Sequence, residues 1–299
     1  MGANGTERTA EVRIGVAGWD YPDWRGRVYP APVPGRFDRL AWIARFVDVV
    51  EINTTFYRPV PADRAAAWVD RIADRPRFRF TAKAHRSWTH EPGADLDRVV
   101  PETLAGLAPV RDSGRLEAVL VQFPQRFHAG RDAFDHLESV AGRARGWPIV
   151  VEVRHRSWAS PEALDRVRDL GLGWCVVDQP RIGGAADPIE AATSRLAYVR
   201  LHGRNADAWF REDAGRDERY DYRYRRDELH EVAERVGRLA ATAESVVVVH
   251  NNHFRGQAVA NALQLRGMVE GTRPLAPTPL VTAFPDLSEV CSIEQERLF

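Results

Sequence analysis

Lysine is nearly missing from this chain: of 42 basic residues among 299, only Lys83 is a lysine and the rest are arginines. A surface that needs only positive charge can use arginine throughout. The single position that keeps lysine is therefore where a compact ammonium, able to lose its proton when desolvated, differs from a planar guanidinium that holds its own. Cysteine is scarce as well. Cys175 and Cys291 lie far apart and lack CxxC spacing, which excludes a disulfide framework and a zinc knuckle. No run of about 18 apolar residues occurs, and the short polar stretch from Met1 to Ala10 has no apolar signal core, so a soluble cytoplasmic protein is expected. Net charge is absent too, with 42 acidic residues against 42 basic ones, so no overall field draws the chain to nucleic acid or to a membrane. Any anion site must be local.

What is present is an alternation. Short runs rich in Val and Ile occur at Val12–Ala17, Val47–Ile52, Phe78–Ala82, Leu116–Val121, Ile149–Val153, Trp174–Val177, Leu196–Leu201 and Val246–Val249. Between most of them lie segments with helical apolar spacing, at Phe37–Phe46, Pro61–Ala73, Pro101–Val110, Ala133–Ala144, Leu164–Leu170, Leu229–Leu239 and Gln257–Val269. Eight strands alternating with helices predict an α/β fold, a closed TIM-like (β/α)8 barrel in a single domain over 11–271. A doubly wound open sheet is the runner-up, but Gly15, Gly18 and Gly26 have the wrong spacing for a dinucleotide fingerprint. Residues 1–10 read as a flexible tail. The Pro-punctuated stretch 272–299 reads as a tail packed on the barrel or partly disordered, and no internal repeat is obvious.

Side chains two apart on a strand share a face, and four strands finish with two polar residues on one parity: Glu51 and Asn53, Lys83 and His85, Glu152 and Arg154, Arg200 and His202. Smaller or apolar residues precede them on that parity, so these pairs are expected to form a polar upper layer facing inward. Gln122, Asp178 and the cluster Asn251, Asn252, His253 end strands four, six and eight. Barrel enzymes carry their reacting groups at C-terminal strand ends. A layer without chemistry would pair Glu51 with Lys83 and Glu152 with Arg200 and simply close the mouth.

The segments Gly18–Trp24, Val50–Tyr57, Phe80–Lys83, Gln122–Pro124, Glu152–Trp158, Tyr198–Gly203 and Asn251–His253, with Gly256 and Asn261, together resemble the YecE-like family, catalogued as domain of unknown function 72. The resemblance covers roughly Ile14 to Leu265. It implies a TIM-like barrel and no established activity. One departure is Val16-Ala17-Gly18, where the family more often has a small hydroxyl residue before the Gly-Trp pair, so a hydroxyl donor to ligand is missing here.

The chemistry is read from the residues. Lys83, Arg154 and Arg200 with the amides of Asn53, Gln122, Asn251 and Asn252 form a cup of donors suited to phosphate, carboxylate or polyol oxygens. Gly256 opens a helix whose N-terminal N–H groups add an anion site. Trp19, Tyr21, Trp24, Phe56, Tyr57, Trp88, Trp158, Trp209 and Phe210 are placed around the rim, where they would stack on a sugar ring or base. The stretch 203–227 is long enough to be a lid, or a disordered charged loop. Glu51 and Glu152 would divide acid and base roles, Lys83 and Arg200 would hold developing negative charge, and a Schiff base on Lys83 is a further route, because the hydrophobic strand and neighbouring arginines lower its pKa.

A metal centre is the competing reading, with Glu51, His85, Glu152, His155, Asp178, His202, His250 and His253 as ligand types. Three cations in the same mouth disfavour it, and no cofactor or bound metal is expected. The expectation is an enzyme, of hydrolase or of lyase or isomerase type, using acid–base chemistry on a small polar compound, phosphorylated or carboxylated and sugar-like in character. A phosphodiesterase-like or nucleic-acid-binding barrel and a non-catalytic ligand-binding protein are the alternatives. Oligomeric state does not follow from the sequence.

Overall fold

Alternating strands and helices close into one ring of eight parallel strands in sequence order, β1 pairing with β8. The structure, a computed structural model, describes residues 10–33, 35–91, 93–180, 188–209, 211 and 215–294. The strands are β1 Glu11–Ala17, β2 Val49–Ile52, β3 Arg79–Lys83, β4 Leu116–Gln122, β5 Ile149–Glu152, β6 Gly173–Asp178, β7 Leu196–Leu201 and β8 Ser245–His250. The α/β barrel predicted from the alternation is the fold. Buried on both faces, the strands need apolar side chains of both parities. One parity fills the interior, with Ala17, Val49, Leu120, Val150, Tyr198 and Val249 among its members. The other packs on the surrounding helices, with Val16, Val50, Val121, Val151, Val199 and Val248.

The helices lie close to the predicted spans, at Arg39–Ile43, Ala62–Arg71, Arg131–Arg143, Pro161–Asp169, Arg226–Ala240 and Gln257–Glu270. One starts well before its predicted bound. The segment expected over Pro101–Val110 runs from Leu96 to Asp112, because the Asp95 side chain caps it by accepting from the Asp97 N–H and because Val99 and Val100 are buried ahead of the proline. After residue 271, Leu275–Ala276 pairs in parallel with Ser292–Ile293, and Leu280, Leu287 and Cys291 are buried. The predicted N-terminal tail lies, apart from Ala10, outside the described residues, as do 295–299. Among the described residues no helix is long and apolar enough to cross a membrane.

Candidate functional site

Strand parity carries the polar layer inward at the C-terminal end of the barrel. Arg200 on β7 reaches across the interior and holds two carboxylates at once, its Nη2 donating to Glu51 Oε1 on β2 at 2.6 Å and its Nη1 to Glu152 Oε2 on β5 at 2.5 Å. All three side chains are buried. The second oxygen of Glu51 accepts from the Tyr198 hydroxyl at 3.0 Å, which lies 2.9 Å from Thr81 Oγ1. The second oxygen of Glu152 accepts from Arg154 Nε at 2.9 Å and faces His202 Nε2 at 3.3 Å. Burial alone would raise the Glu152 carboxyl, but Arg200, Arg154 and His202 hold it well below the usual range. Burial pushes His202 down to about 3, so it is neutral. Asn251 Nδ2 lies 3.0 Å from its Nδ1, and its Nε2 faces Glu152 Oε1 at 3.3 Å together with the Arg154 and Arg200 guanidiniums at 3.4 and 3.5 Å.

Of the two pairings that a simple closing layer would make, Glu152 with Arg200 is formed and Glu51 with Lys83 is not. Glu51 does not take Lys83, because Arg200 with its two-pronged guanidinium satisfies both carboxylates, and a planar fork suits that geometry better than a point charge. Lys83 is left over. Among the described residues its ammonium makes no hydrogen bond or ion pair, and its Nζ lies 4.2 Å from the centroid of the Phe56 ring. Burial first, then Arg200, lowers its pKa to about 8, outweighing Glu51 and Glu152, which act the other way.

Above this frame opens a cleft of about 770 Å³. Lys83, Arg200 and the side chains of Asn53, Gln122 and Asn251 line its floor, while Trp19, Tyr57 and His253 stand on its walls. Tyr57 is 64% exposed and so marks the rim. Tyr21 stacks on His253 at 4.4 Å, and Trp19 meets Trp68 edge-on at 5.5 Å. Gly18 turns the chain from β1 into this wall at φ +75°, and a Cβ there would come within 2.6 Å of the Tyr21 hydroxyl. That hydroxyl donates to the Ala17 carbonyl at 2.7 Å.

Several expected residues stand elsewhere. Asp178 is buried, but it lies on the parity opposite Cys175 and Val177 and so faces the helices, where Arg204 grips it with two bonds and the Tyr224 hydroxyl donates to it. Asn252 donates to the Tyr222 carbonyl and to Asn261, tying down the loop after β7 instead of meeting the cleft. Gly256, at φ +81°, lets the chain pass Val28, whose Cγ2 would lie 2.9 Å from a Cβ, and so serves packing. His85 accepts from the Ser87 N–H and lies 2.8 Å from the Ser87 hydroxyl, capping the turn Arg86–Trp88. His155 does the same with Ser157 after β5. The two turns share the sequence His-Arg-Ser-Trp, a short repeat legible in the chain, and each tryptophan is fully buried. Trp88, Trp158 and Trp24 are therefore core rather than rim. Phe210 lies outside the described residues, as do 212–214 of the long segment after β7. The metal-ligand types are dispersed, and among the described residues no three of them gather.

Residues not anticipated also meet here. His90 lines the cleft, its ring edge-on to Phe56 at 5.2 Å. Burial first, and then the neighbouring Lys83, lower its pKa. Arg64 lines the outer part and makes no ion pair among the described residues. Both come from segments outside the strands, so the two-residue alternation that finds Lys83 and Glu152 gives no signal for them.

The family model described as protein of unknown function DUF72 matches residues 13–282. A curated relative, UPF0759 protein YunF of Bacillus subtilis, is 29% identical over 273 residues, covering 87% of this chain and 95% of that one. A solved DUF72 family protein from Thermotoga maritima is 31% identical with a TM-score of 0.76, covering 87% of this chain and 99% of its own. Another, from Enterococcus faecalis, is 26% identical with a TM-score of 0.77, covering 87% and 95%. The chain belongs to the DUF72 family.

Proposed function

We propose that this barrel is an enzyme acting on a small polar, anionic compound, with Lys83 as the group that meets the substrate. The observation that carries the reading is the lone lysine standing unpaired on the cleft floor while Arg200 satisfies both neighbouring carboxylates. A pKa of about 8 populates both its forms near neutral pH, which is what a general acid–base group needs. Glu51 and Glu152 do not divide the acid and base roles expected from the sequence, because Glu152 has both oxygens engaged by cations and Glu51 has both engaged by Arg200 and Tyr198; that work falls to Lys83. The two carboxylates then act as a fixed frame that sets the field at the lysine. The amides of Asn53, Gln122 and Asn251 are placed to orient hydroxyl or oxyanion groups, and Trp19 and Tyr57 to cover a ring face.

The test is a mass-spectrometric comparison of a metabolite pool before and after incubation with the protein. An anionic metabolite should be consumed catalytically, and the Lys83→Arg protein should do so about a hundredfold more slowly while remaining folded. Stoichiometric retention without consumption would identify a binding protein instead. Equal turnover by Lys83→Arg would remove the lysine from the chemistry.

A further inference from the structure

We infer that Lys83 acts as a nucleophile, forming a Schiff base with a polyhydroxy aldehyde or ketone that carries an anionic group. This rests on the reading of Lys83 as the residue that meets the substrate, and it names the bond that forms there. Three arrangements carry it. No carboxylate is bonded to the amine, so nothing holds its lone pair as an ammonium in an ion pair. The face of Phe56 covers one side of Nζ at 4.2 Å, which keeps water from that side and stabilises the cationic iminium that the reaction generates. His90 packs edge-on against the same ring, its Nδ1 engaged by Thr89 Oγ1 at 2.6 Å and its Nε2 without a hydrogen bond among the described residues. A nucleophile and a proton carrier thus share one aromatic support within the cleft.

The step balances without any added oxidant or reductant. The Nζ lone pair of the neutral amine forms the bond to the carbonyl carbon, and the carbonyl π pair moves to oxygen. His90 takes a proton from nitrogen and returns it to that oxygen, giving the carbinolamine. A second proton, delivered through protonated His90, lets the hydroxyl depart as water while the nitrogen lone pair closes the C=N bond. Counted from the ammonium, two protons leave on the water and the positive charge stays on nitrogen. The substrate class follows from what surrounds the amine. Asn53 offers an amide donor and acceptor for hydroxyls, beside Gln122, whose oxygen accepts from Arg200, and Asn251, whose amide nitrogen meets His202. Of the arginines lining the cleft, Arg39 is paired with Asp20, Arg71 with Asp38 and Arg200 with Glu51 and Glu152, while Arg64 makes no ion pair among the described residues and can meet a phosphate or carboxylate.

The chain offers its own control, because Lys83 is its only lysine and the α-amino group is the other primary amine. The whole protein is incubated separately with dihydroxyacetone, dihydroxyacetone phosphate, glyoxylate and pyruvate in the presence of cyanoborohydride, then weighed intact and mapped by peptide. The expected result is a reduced adduct on the peptide carrying Lys83, absent from Lys83→Arg, formed faster with an anionic carbonyl than with dihydroxyacetone. His90→Asn should slow trapping by about a hundredfold and shift its pH profile without loss of the folded state. Failure of all four probes to label Lys83 above the level in urea-unfolded protein overturns the inference. So does a metabolite that the wild type consumes but that leaves no reducible adduct, and in that case the acid–base reading of Lys83 stands while the covalent one falls.

Discussion

At the N-terminal end of the barrel Arg13 on β1 reaches across the interior to Glu117 on β4 at 3.3 Å, and Arg79 on β3 approaches the same carboxylate at 3.4 Å. At the C-terminal end Arg200 holds Glu51 at 2.6 Å and Glu152 at 2.5 Å. The bottom sets two guanidiniums loosely against one carboxylate, with Glu11, half exposed, on the outer side of Arg13. The top binds two carboxylates tightly through one guanidinium and leaves a lysine over. Burial raises the pKa of Glu117 despite its two arginines, whereas at Glu152 the cations overcome burial and depress it. A loose plug closes the barrel and tolerates a neutral partner. A saturated frame fixes charge so firmly that the unpaired lysine beside it becomes the adjustable group.

Arg200→Met breaks the frame and should have the largest effect. It leaves two buried carboxylates without their shared cation, at a cost of about 3–5 kcal/mol in denaturant unfolding at neutral pH. The sign with pH follows from Glu152, whose folded pKa lies below its usual 4.5. That stability is present above pH 4.5 in the wild type and is lost as pH falls through the folded value. The deficit of Arg200→Met should therefore be greatest near pH 7 and shrink in acid; a deficit that is constant with pH would mean that the frame is not electrostatic.

The upper layer was legible because it obeys a two-residue alternation: Glu51, Lys83, Glu152 and Arg200 all stand where strand parity puts them. Which cation meets which anion was not legible, since it depends on arms crossing from β7 to β2 and β5. The lower layer was hidden for a different reason. The β3–β4 register shifts so that Phe80 and Thr81 face Leu116 and Ala118, and Glu117 escapes the parity of its strand to meet Arg13. Asp178 shows the reverse case, a polar residue at a strand end whose parity turns it outward. His85 departs from the alternation because the residue after a strand follows its turn, here the His-Arg-Ser-Trp cap, and no longer the pleat.

Lys83→Met sharpens the contrast between paired and unpaired charge. A lysine paired with a buried carboxylate would cost about 3–5 kcal/mol to remove. An unpaired one, with its pKa lowered to about 8 from 10.5, is an ammonium that the fold disfavours. Its removal should leave stability unchanged or raise it at pH 7, by at most about 3 kcal/mol. Between pH 8 and 10.5 the unfolded chain binds the proton that the folded one has lost, so wild-type stability rises with pH and the gap to Lys83→Met should close. Parallel unfolding curves at pH 7 and pH 9.5 measure it, and a gap that widens with pH would return Lys83 to an ion pair.

The smallest effect belongs to the plug. Glu117 already sits above its usual pKa, so the folded state prefers it protonated more than the unfolded state does, and wild-type stability falls as pH rises through the window above 4.5. Glu117→Gln keeps the shape and a hydrogen-bonding oxygen while removing that charge, and Arg13 retains Glu11 at 2.6 Å. Its stability at pH 7 should differ from wild type by about 1 kcal/mol or less, with ligand trapping at Lys83 unaltered because the two layers lie at opposite ends of the strands. The matching change at the other end, Glu152→Gln, frees one side of both Arg200 and Arg154 and should cost several times more. Equal losses from the two substitutions would mean that both ends are structural plugs and that the tight geometry around Glu152 does nothing for the lysine.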